Sequence, residues 1–130
     1  MTARPTGHPK VRERTVHKAV LAFLMLRLSP AARATLNHAP NEVDLSVNER
    51  SRSIALSKAK ALGMQPGYPD LSWLGAGGRF HAFEVKTPVG RLSPAQEACG
   101  AAIEAAGGRW AVVRSVDEAE AVLRAWEAAE

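Results

Sequence analysis

Residues 69–86 have the sequence PDLSWLGAGGRFHAFEVK. Two segments rich in apolar residues, 70–74 and 79–86, lie on either side of a four-residue connection that contains three glycines. Short apolar segments joined by a glycine-rich connection predict an antiparallel hairpin. Pairing of the two strands would bring the start of the first strand beside the end of the second.

Charged residues lie at the end of the hairpin where the two strands would meet. Asp70 opens the first strand, and Glu84 and Lys86 lie near the end of the second. Side chains two positions apart on a strand point to the same face. Glu84 and Lys86 should therefore point together, whereas Phe83 and Val85 should point to the opposite face and into a core.

This group of side chains suits metal-assisted chemistry on phosphates. Two carboxylates, Asp70 and Glu84, are ligands that a hard cation such as Mg²⁺ prefers, and the Val85 carbonyl could supply a third ligand. Lys86 would then position or activate a water molecule and stabilise negative charge on a phosphate. A surface Glu–Lys pair beside an unrelated aspartate is the alternative interpretation of this spacing.

Patterns outside the hairpin predict helices and two further strands. Apolar residues recur at helical spacing, and capping boxes open helices at Ser93 and Ser115. The predicted helices cover 11–28, 48–62, 94 to near 107 and 115–126, and the further strands cover 35–39 and 110–114. These elements predict one α/β domain over 11–130, with a small mixed sheet flanked by helices, after a disordered lead-in of residues 1–10.

The composition is that of a single-domain globular protein. The chain has 130 residues, of which 46% are hydrophobic and 23% are charged, and this length allows one core. No apolar segment approaches the roughly 18 residues of a membrane span, and no secretion signal is recognisable. Cys99 is the single cysteine, so an internal disulfide and a cysteine zinc cluster are excluded. A cytoplasmic location is expected.

The basic residues are concentrated in the first half of the chain. Residues 1–60 contain eleven Lys and Arg against four Asp and Glu, whereas residues 61–130 contain six against nine. A basic surface of this kind suits a polyanion such as nucleic acid. A solvated basic face is the alternative that charge alone leaves open.

The order of Pro69-Asp70, a hairpin and Glu84-Val85-Lys86 resembles the signature of the PD-(D/E)xK nuclease superfamily. Within that superfamily, the chain is similar to the VRR-Nuc (virus-type replication-repair nuclease) family. The stretches that carry the similarity are 38–41, 63–71, 83–88, 90–96 and 107–114, and the block 84–96 is the most specific of them.

The resemblance implies a restriction-endonuclease-like fold and a site that uses Mg²⁺ or Mn²⁺. It implies that Asp70 and Glu84 hold the metal and that Lys86 serves catalysis. Gln96 matches a glutamine beside the family's site, where it would orient the lysine or a phosphate, although the predicted capping box explains a glutamine here equally well. Glu13 is the best match to an acidic residue on the family's first helix.

Three further residues are expected to contact nucleic acid, namely His17, Asn41 and Arg91. His17 lies one helical turn after Glu13 and on the same face. Asn41 is followed by Glu-Val-Asp, whereas the family usually has two glycines there. The loop after Asn41 would therefore contact DNA differently, or not at all.

The resemblance implies a deoxyribonuclease that hydrolyses phosphodiester bonds in branched or flapped DNA and that assembles as a homodimer. A first alternative is a catalytically inactive DNA-binding accessory module, against which the intact Asp70, Glu84 and Lys86 argue. A second alternative is a nuclease that acts on RNA or on single-stranded ends, where Tyr68 and Trp73 could stack on unpaired bases, unless both residues belong to the core.

Overall fold

The computed structural model describes residues 12–39, 50, 53–54, 57–58, 61–63 and 65–130. The helices whose full extent the structure describes are α1 (Glu13–Arg27), α2 (Pro30–Ala34), α3 (Pro94–Ala105) and α4 (Val116–Ala128). The strands are β1 (Asn37–His38), β2 (Leu71–Leu74), β3 (Phe80–Val85) and β4 (Arg109–Val113). Among the same residues, no helix is both long enough and apolar enough to cross a membrane.

The described strands form one mixed sheet in the order β1-β2-β3-β4. β2 is antiparallel to both of its neighbours, and β4 is parallel to β3. The predicted hairpin is confirmed, since β2 and β3 pair with Leu71 opposite Phe83. Its connection contains a short 3₁₀ turn, Ala76–Gly78, in which Gly77 has a φ of 70° that glycine adopts without strain. The predicted α/β class, with a small mixed sheet flanked by helices, is also confirmed.

Helices α1 and α4 cover one face of the sheet. α1 places Val16, Val20 and Leu24 on one side at helical spacing, and all three are buried. They form one apolar core with Phe83 and Val85 of β3 and with residues of α4. Phe83 and Val85 are completely buried in that core, as the alternation along the strand predicts.

Helix α3 covers the opposite face of the sheet. Gly100 of α3 lies so close to β4 that an added Cβ atom would be 2.6 Å or less from the Trp110 ring. In the first turn of α3, Gln96 donates a hydrogen bond to Glu84 of β3 over 2.9 Å. The face that carries Glu84 is therefore the face against which α3 packs.

Helix α2 was not predicted. Ser29 and Pro30 follow α1, but they also begin α2, because the Ser29 hydroxyl oxygen accepts a hydrogen bond from the Ala32 N–H and the proline occupies the first helical turn. Thr35 then closes α2 through its N–H, which donates to the Ala32 carbonyl. The predicted strand at 35–39 is shortened to Asn37–His38 as a result.

Several predictions from the sequence fall on residues outside the described part of the chain. They are the lead-in at 1–10, Asn41 with the loop that follows it, and much of the helix predicted at 48–62. Within that helix, the described residues 50, 53, 54, 57, 58 and 61 are helical.

The packing of α3 on β4 predicts the effect of a small substitution. Gly100→Ala should lower the free energy of unfolding by up to about 2 kcal/mol, because overpacking against Trp110 costs about 1–3 kcal/mol and the better helix propensity of alanine offsets about 1 kcal/mol. Urea denaturation followed by circular dichroism measures this change. Ala98→Leu, at an exposed position of α3, is the control and should leave stability nearly unchanged. An increase in stability for Gly100→Ala would contradict the close packing.

Candidate active site

Asp70 joins the two strands of the hairpin at the end where they meet. Its Oδ2 atom accepts a hydrogen bond from the Val85 N–H over 2.7 Å, and both groups are buried. Its backbone carbonyl accepts a hydrogen bond from the Ala39 N–H, which continues the pairing with β1. The structure therefore brings Asp70 next to the end of β3, as the hairpin predicts.

The loop before Asp70 packs directly on the start of α3. Gly67 has a φ of 75°, and an added Cβ atom would collide with the backbone of Ala95 and Gln96. Only glycine fits such a close approach in this backbone conformation. The turn at Gly67 thus fixes the Asp70 strand relative to the helix that carries Gln96.

Glu84 is the most deeply buried charged group in the described structure, with 1% of its surface exposed. Its Oε1 atom accepts the hydrogen bond from Gln96, but no described residue donates a hydrogen bond to its Oε2 atom. Burial, together with the charge and hydrogen bonding of Asp70, raises the pKa of Glu84 from an ordinary value of 4.5 to about 9, although the charge of Lys86 opposes this rise. The site therefore favours either a proton on Glu84 or a compensating cation.

Glu13 brings a third carboxylate to the same place. One carboxylate oxygen from each of Glu13, Asp70 and Glu84 lies within 4.8 Å of the others. Three converging carboxylates, one of them with a buried oxygen that no described donor contacts, fit a hard divalent cation such as Mg²⁺ or Mn²⁺. Glu13, which only the family resemblance identified, is thus brought together with the two residues of the hairpin.

Gln96 forms the predicted capping box and also contacts the carboxylate cluster, through Glu84 and not through the lysine or phosphate that the family resemblance implies. Its side-chain oxygen accepts a hydrogen bond from the Ser93 N–H, and the Ser93 hydroxyl accepts one from the Gln96 N–H, which completes the capping box. Its side-chain nitrogen donates to Glu84. One amide therefore both begins α3 and fixes the orientation of a carboxylate in the cluster.

Lys86 lies just beyond the end of β3 and is 8% exposed. Its N–H donates to the Val113 carbonyl over 3.0 Å, so the backbone pairing with β4 extends one residue past the strand. The charge of Lys86 lowers the pKa of Glu84, which indicates that the ammonium group lies close to the carboxylate cluster. Val85 lies between Glu84 and Lys86 in the chain. Its side chain is in the core, and its N–H donates the hydrogen bond to Asp70.

The residues expected to contact nucleic acid have different positions. His17 is half-buried beside His38, with ring centroids 4.7 Å apart, and the His38 Nδ1 atom lies 3.3 Å from the Asp70 carbonyl oxygen. Arg91 is exposed in the segment between β3 and α3. Asn41 lies outside the described residues.

Trp73 is not available to stack on unpaired bases. It is 3% exposed and packs in the core, with its ring centroid 5.0 Å from that of Phe83. The ring of His81 also stacks on the Trp73 ring, with the two ring centroids 5.6 Å apart. Tyr68 is half-buried and contacts Phe80 edge to face, so the aromatic support for an enzyme of single-stranded ends is reduced to one residue.

Arg114 is a residue near the site that the sequence did not single out. It follows β4 directly, and its Nη1 atom donates to the carbonyl oxygens of Thr87 and Gly90 over 2.6 Å each. An arginine after an apolar strand is common, and its sequence position carries no signal that it would reach the loop after Lys86.

Comparison with known proteins identifies the family. The family model of the VRR-NUC domain matches residues 22–117, which include Asp70, Glu84 and Lys86 but not Glu13. A solved structure described as a VRR_NUC domain protein has a similar fold, with a TM-score of 0.67 and 20% sequence identity over 89% of this chain and 88% of that chain. No curated protein matches the chain significantly. Because the family model covers well over half of its length, the chain belongs to the VRR-NUC domain family.

Proposed function

We propose that this protein is a metal-dependent deoxyribonuclease that hydrolyses phosphodiester bonds, with its active site at Asp70, Glu84 and Lys86. The observation that supports this proposal most directly is the convergence of three carboxylates around a buried Glu84 oxygen that no described donor contacts. Membership of a nuclease-type family gives that acidic cluster a chemical purpose.

Three carboxylates would hold the cation, namely those of Glu13, Asp70 and Glu84, and the Val85 carbonyl is a candidate for a further ligand. When bound, Mg²⁺ or Mn²⁺ supplies Lewis acidity at the scissile phosphate and lowers the pKa of a coordinated water. The protein's own groups do the remaining work.

Lys86 orients or activates the attacking water and stabilises the negative charge that develops on the phosphate. Gln96 holds the Glu84 carboxylate in one orientation through its 2.9 Å hydrogen bond, so that the Oε2 atom is left for a ligand. Asp70 is held in the same way by the Val85 N–H. The carboxylates of Asp70 and Glu84 are thus both pre-oriented before any substrate binds.

DNA binding would use the basic first part of the chain. Arg14 and Lys18 are exposed on α1, the helix that brings Glu13 to the site, and Arg91 is exposed beside the catalytic strand. Phosphate contacts by such residues give an affinity that falls steeply with salt concentration. His17 and Asn41 remain proposed contacts to the DNA. Branched or flapped DNA is the proposed substrate class.

Cleavage assays test the proposal directly. Labelled four-way junction, flap, duplex and single-stranded DNA should be incubated with Mg²⁺, with Mn²⁺ and with EDTA. We expect cleavage with metal only, and a loss of at least about 100-fold in kcat for Asp70→Asn, Glu84→Gln and Lys86→Met, because each removes a ligand or a charge at the reacting phosphate. Glu97→Gln is the matched control, since it changes an exposed glutamate next to Gln96 on α3 and should retain activity.

The same assays can contradict the proposal. Binding of DNA without cleavage under every metal would make the protein a DNA-binding accessory module. Cleavage that survives Glu84→Gln or Lys86→Met would place the active site elsewhere.

The proposed homodimer predicts a measurable mass. Two copies would place two sites on opposing strands of a branched substrate, so the protein at micromolar concentration should have twice the mass of one chain by light scattering. A monomer at the concentration that supports junction cleavage would remove the dimer from the proposal.

The raised pKa of Glu84 predicts how the stability of the metal-free protein depends on pH. The folded protein keeps a proton on Glu84 up to about pH 9, whereas the unfolded chain releases it near pH 4.5. Between these values, this group should lower the free energy of unfolding as pH rises, by up to about 1.4 kcal/mol per pH unit. Urea denaturation in EDTA should show a steeper fall for the wild type than for Glu84→Gln.

Metal should oppose this loss of stability, because a cation takes the place of the Glu84 proton. The rise in Tm on addition of Mn²⁺ should be larger at about pH 8.5 than at about pH 6, and small in Glu84→Gln at both. Glu97→Gln should behave as the wild type in both experiments. Equal pH slopes for the wild type and Glu84→Gln would show that the buried carboxyl does not titrate as described.

A further inference from the structure

A tight turn follows Lys86, just beyond the end of β3. The Gly90 N–H donates to the Thr87 carbonyl over 3.1 Å, and Pro88 and Val89 occupy the two central positions. We call residues 87–90 the post-strand turn. Val89 at its tip is 88% exposed, so the turn projects from the protein surface next to the carboxylate cluster.

One arginine ties this turn to the neighbouring strand. Both carbonyl oxygens that flank the turn, those of Thr87 and Gly90, accept hydrogen bonds of 2.6 Å from the Arg114 Nη1 atom. Hydrogen bonds from a charged guanidinium are shorter and stronger than those between neutral groups. Arg114 therefore closes the turn from the side of β4, whereas an ordinary surface turn has only its own backbone hydrogen bond.

The post-strand turn lies beside the side chain of Lys86. A Cβ atom added to Gly90 would lie 3.5 Å from the Lys86 Cδ atom and 3.1 Å from the Thr87 hydroxyl oxygen. The Gly90 backbone therefore borders the aliphatic part of Lys86, which is only 8% exposed.

A lysine needs neighbouring atoms that restrict its side chain if its ammonium group is to act at one defined point. Its side chain has four rotatable bonds and about 2 kcal/mol of rotamer entropy, so its ammonium group samples many positions unless neighbouring atoms restrict it. The backbone of Lys86 is already fixed by its bond to the Val113 carbonyl. The remaining freedom is in the side chain, which is the part that the Gly90 backbone borders.

We propose that Arg114 is a positioning residue, which holds the post-strand turn closed so that Gly90 keeps the Lys86 ammonium at the carboxylate cluster. This inference rests on the proposed function, in which Lys86 acts on the reacting phosphate or water. Arg114 itself acts through the turn and touches neither.

The test uses Arg114→Lys, which keeps the positive charge. A lysine side chain is one bond shorter than arginine, so its ammonium cannot reach both carbonyl oxygens. With the DNA that the wild type cleaves best, kcat should fall by about 10- to 100-fold while KM changes by no more than about two-fold, because misplacing a catalytic group slows chemistry without removing phosphate contacts. Arg124→Lys, on the exposed side of α4, is the matched control and should leave both constants unchanged.

Hydrogen exchange supplies a readout that does not depend on activity. In Arg114→Lys, the Gly90 amide should exchange faster than in the wild type, while the amides of the paired residues Phe83 and Val85 keep their protection. Loss of protection at Phe83 would instead show that the variant is destabilised as a whole.

In that case Arg114→Ala serves as the second variant, with guanidinium ion added at a sub-denaturing concentration. Guanidinium should restore part of kcat, whereas the same concentration of sodium should not.

The outcomes separate this inference from the proposed function. Faster Gly90 exchange in Arg114→Lys with an unchanged kcat would overturn the positioning role of Arg114 and leave the nuclease intact. A kcat that falls only together with a large rise in KM would overturn it too, since Arg114 would then be a DNA contact. A wild type that cleaves no DNA would refute the proposed function itself, whatever the exchange experiment shows.

Discussion

The hydrogen bond from the Val85 N–H to the Asp70 carboxylate is the interaction on which the arrangement of the site depends. It crosses the end of the hairpin over 2.7 Å and is buried, so it fixes the two strands at the point where their charged residues meet. A carboxylate takes the place of a backbone carbonyl at this point and so ends the regular pairing, and the same carboxyl group lies close to those of Glu84 and Glu13. The sheet thereby ends in a group of acidic side chains where a further backbone pair would otherwise stand.

This acidic group is costly for the folded chain without a counter-charge. Burial of carboxylates side by side is unfavourable unless they are protonated, paired or metal-bound. Gln96 donates one hydrogen bond to this group, and Lys86 brings one positive charge near it. These two groups do not fully offset the cost of burying the carboxylates, since the pKa of Glu84 still rises to about 9. The surrounding fold, with α1 and α4 on one face and α3 on the other, holds the carboxylates together despite this cost. A buried carboxyl group with a strongly raised pKa, in an otherwise well-packed domain, is typical of functional sites.

Local patterns in the sequence predicted the parts of the site that are close along the chain. Alternation along β3 put Glu84 and Lys86 on one face and Phe83 in the core, because a period of two admits no other arrangement. Glu13 could not be found in this way, since nothing in the periodicity of α1 says which residue its first turn will meet, and only the family resemblance suggested it.

The features that the sequence did not predict also have definite physical causes. Ser29-Pro30 fits a helix end and a helix start equally well, which is why α2 was missed. Trp73 seemed available to bases because a four-residue strand gives little evidence of which face is inward. Arg114 depends on a contact between two loops, 27 and 24 residues apart in sequence, that follows from the tertiary structure alone. Gln96 forms the capping box that the sequence predicts, and the other end of its amide donates to Glu84, a partner that the sequence did not indicate.

The position of Glu13 in the first turn of α1 has a consequence for where the working unit begins. The family model starts at residue 22, inside α1, yet the third carboxylate and the buried Val16 and Val20 all lie before that point. A fragment cut at the family boundary would keep the hairpin, Lys86 and Gln96 while losing one of the three converging carboxylates and part of the hydrophobic core. The segment that the family model matches is therefore shorter than the segment that forms the carboxylate cluster, and the first turns of α1 belong to both the cluster and the core.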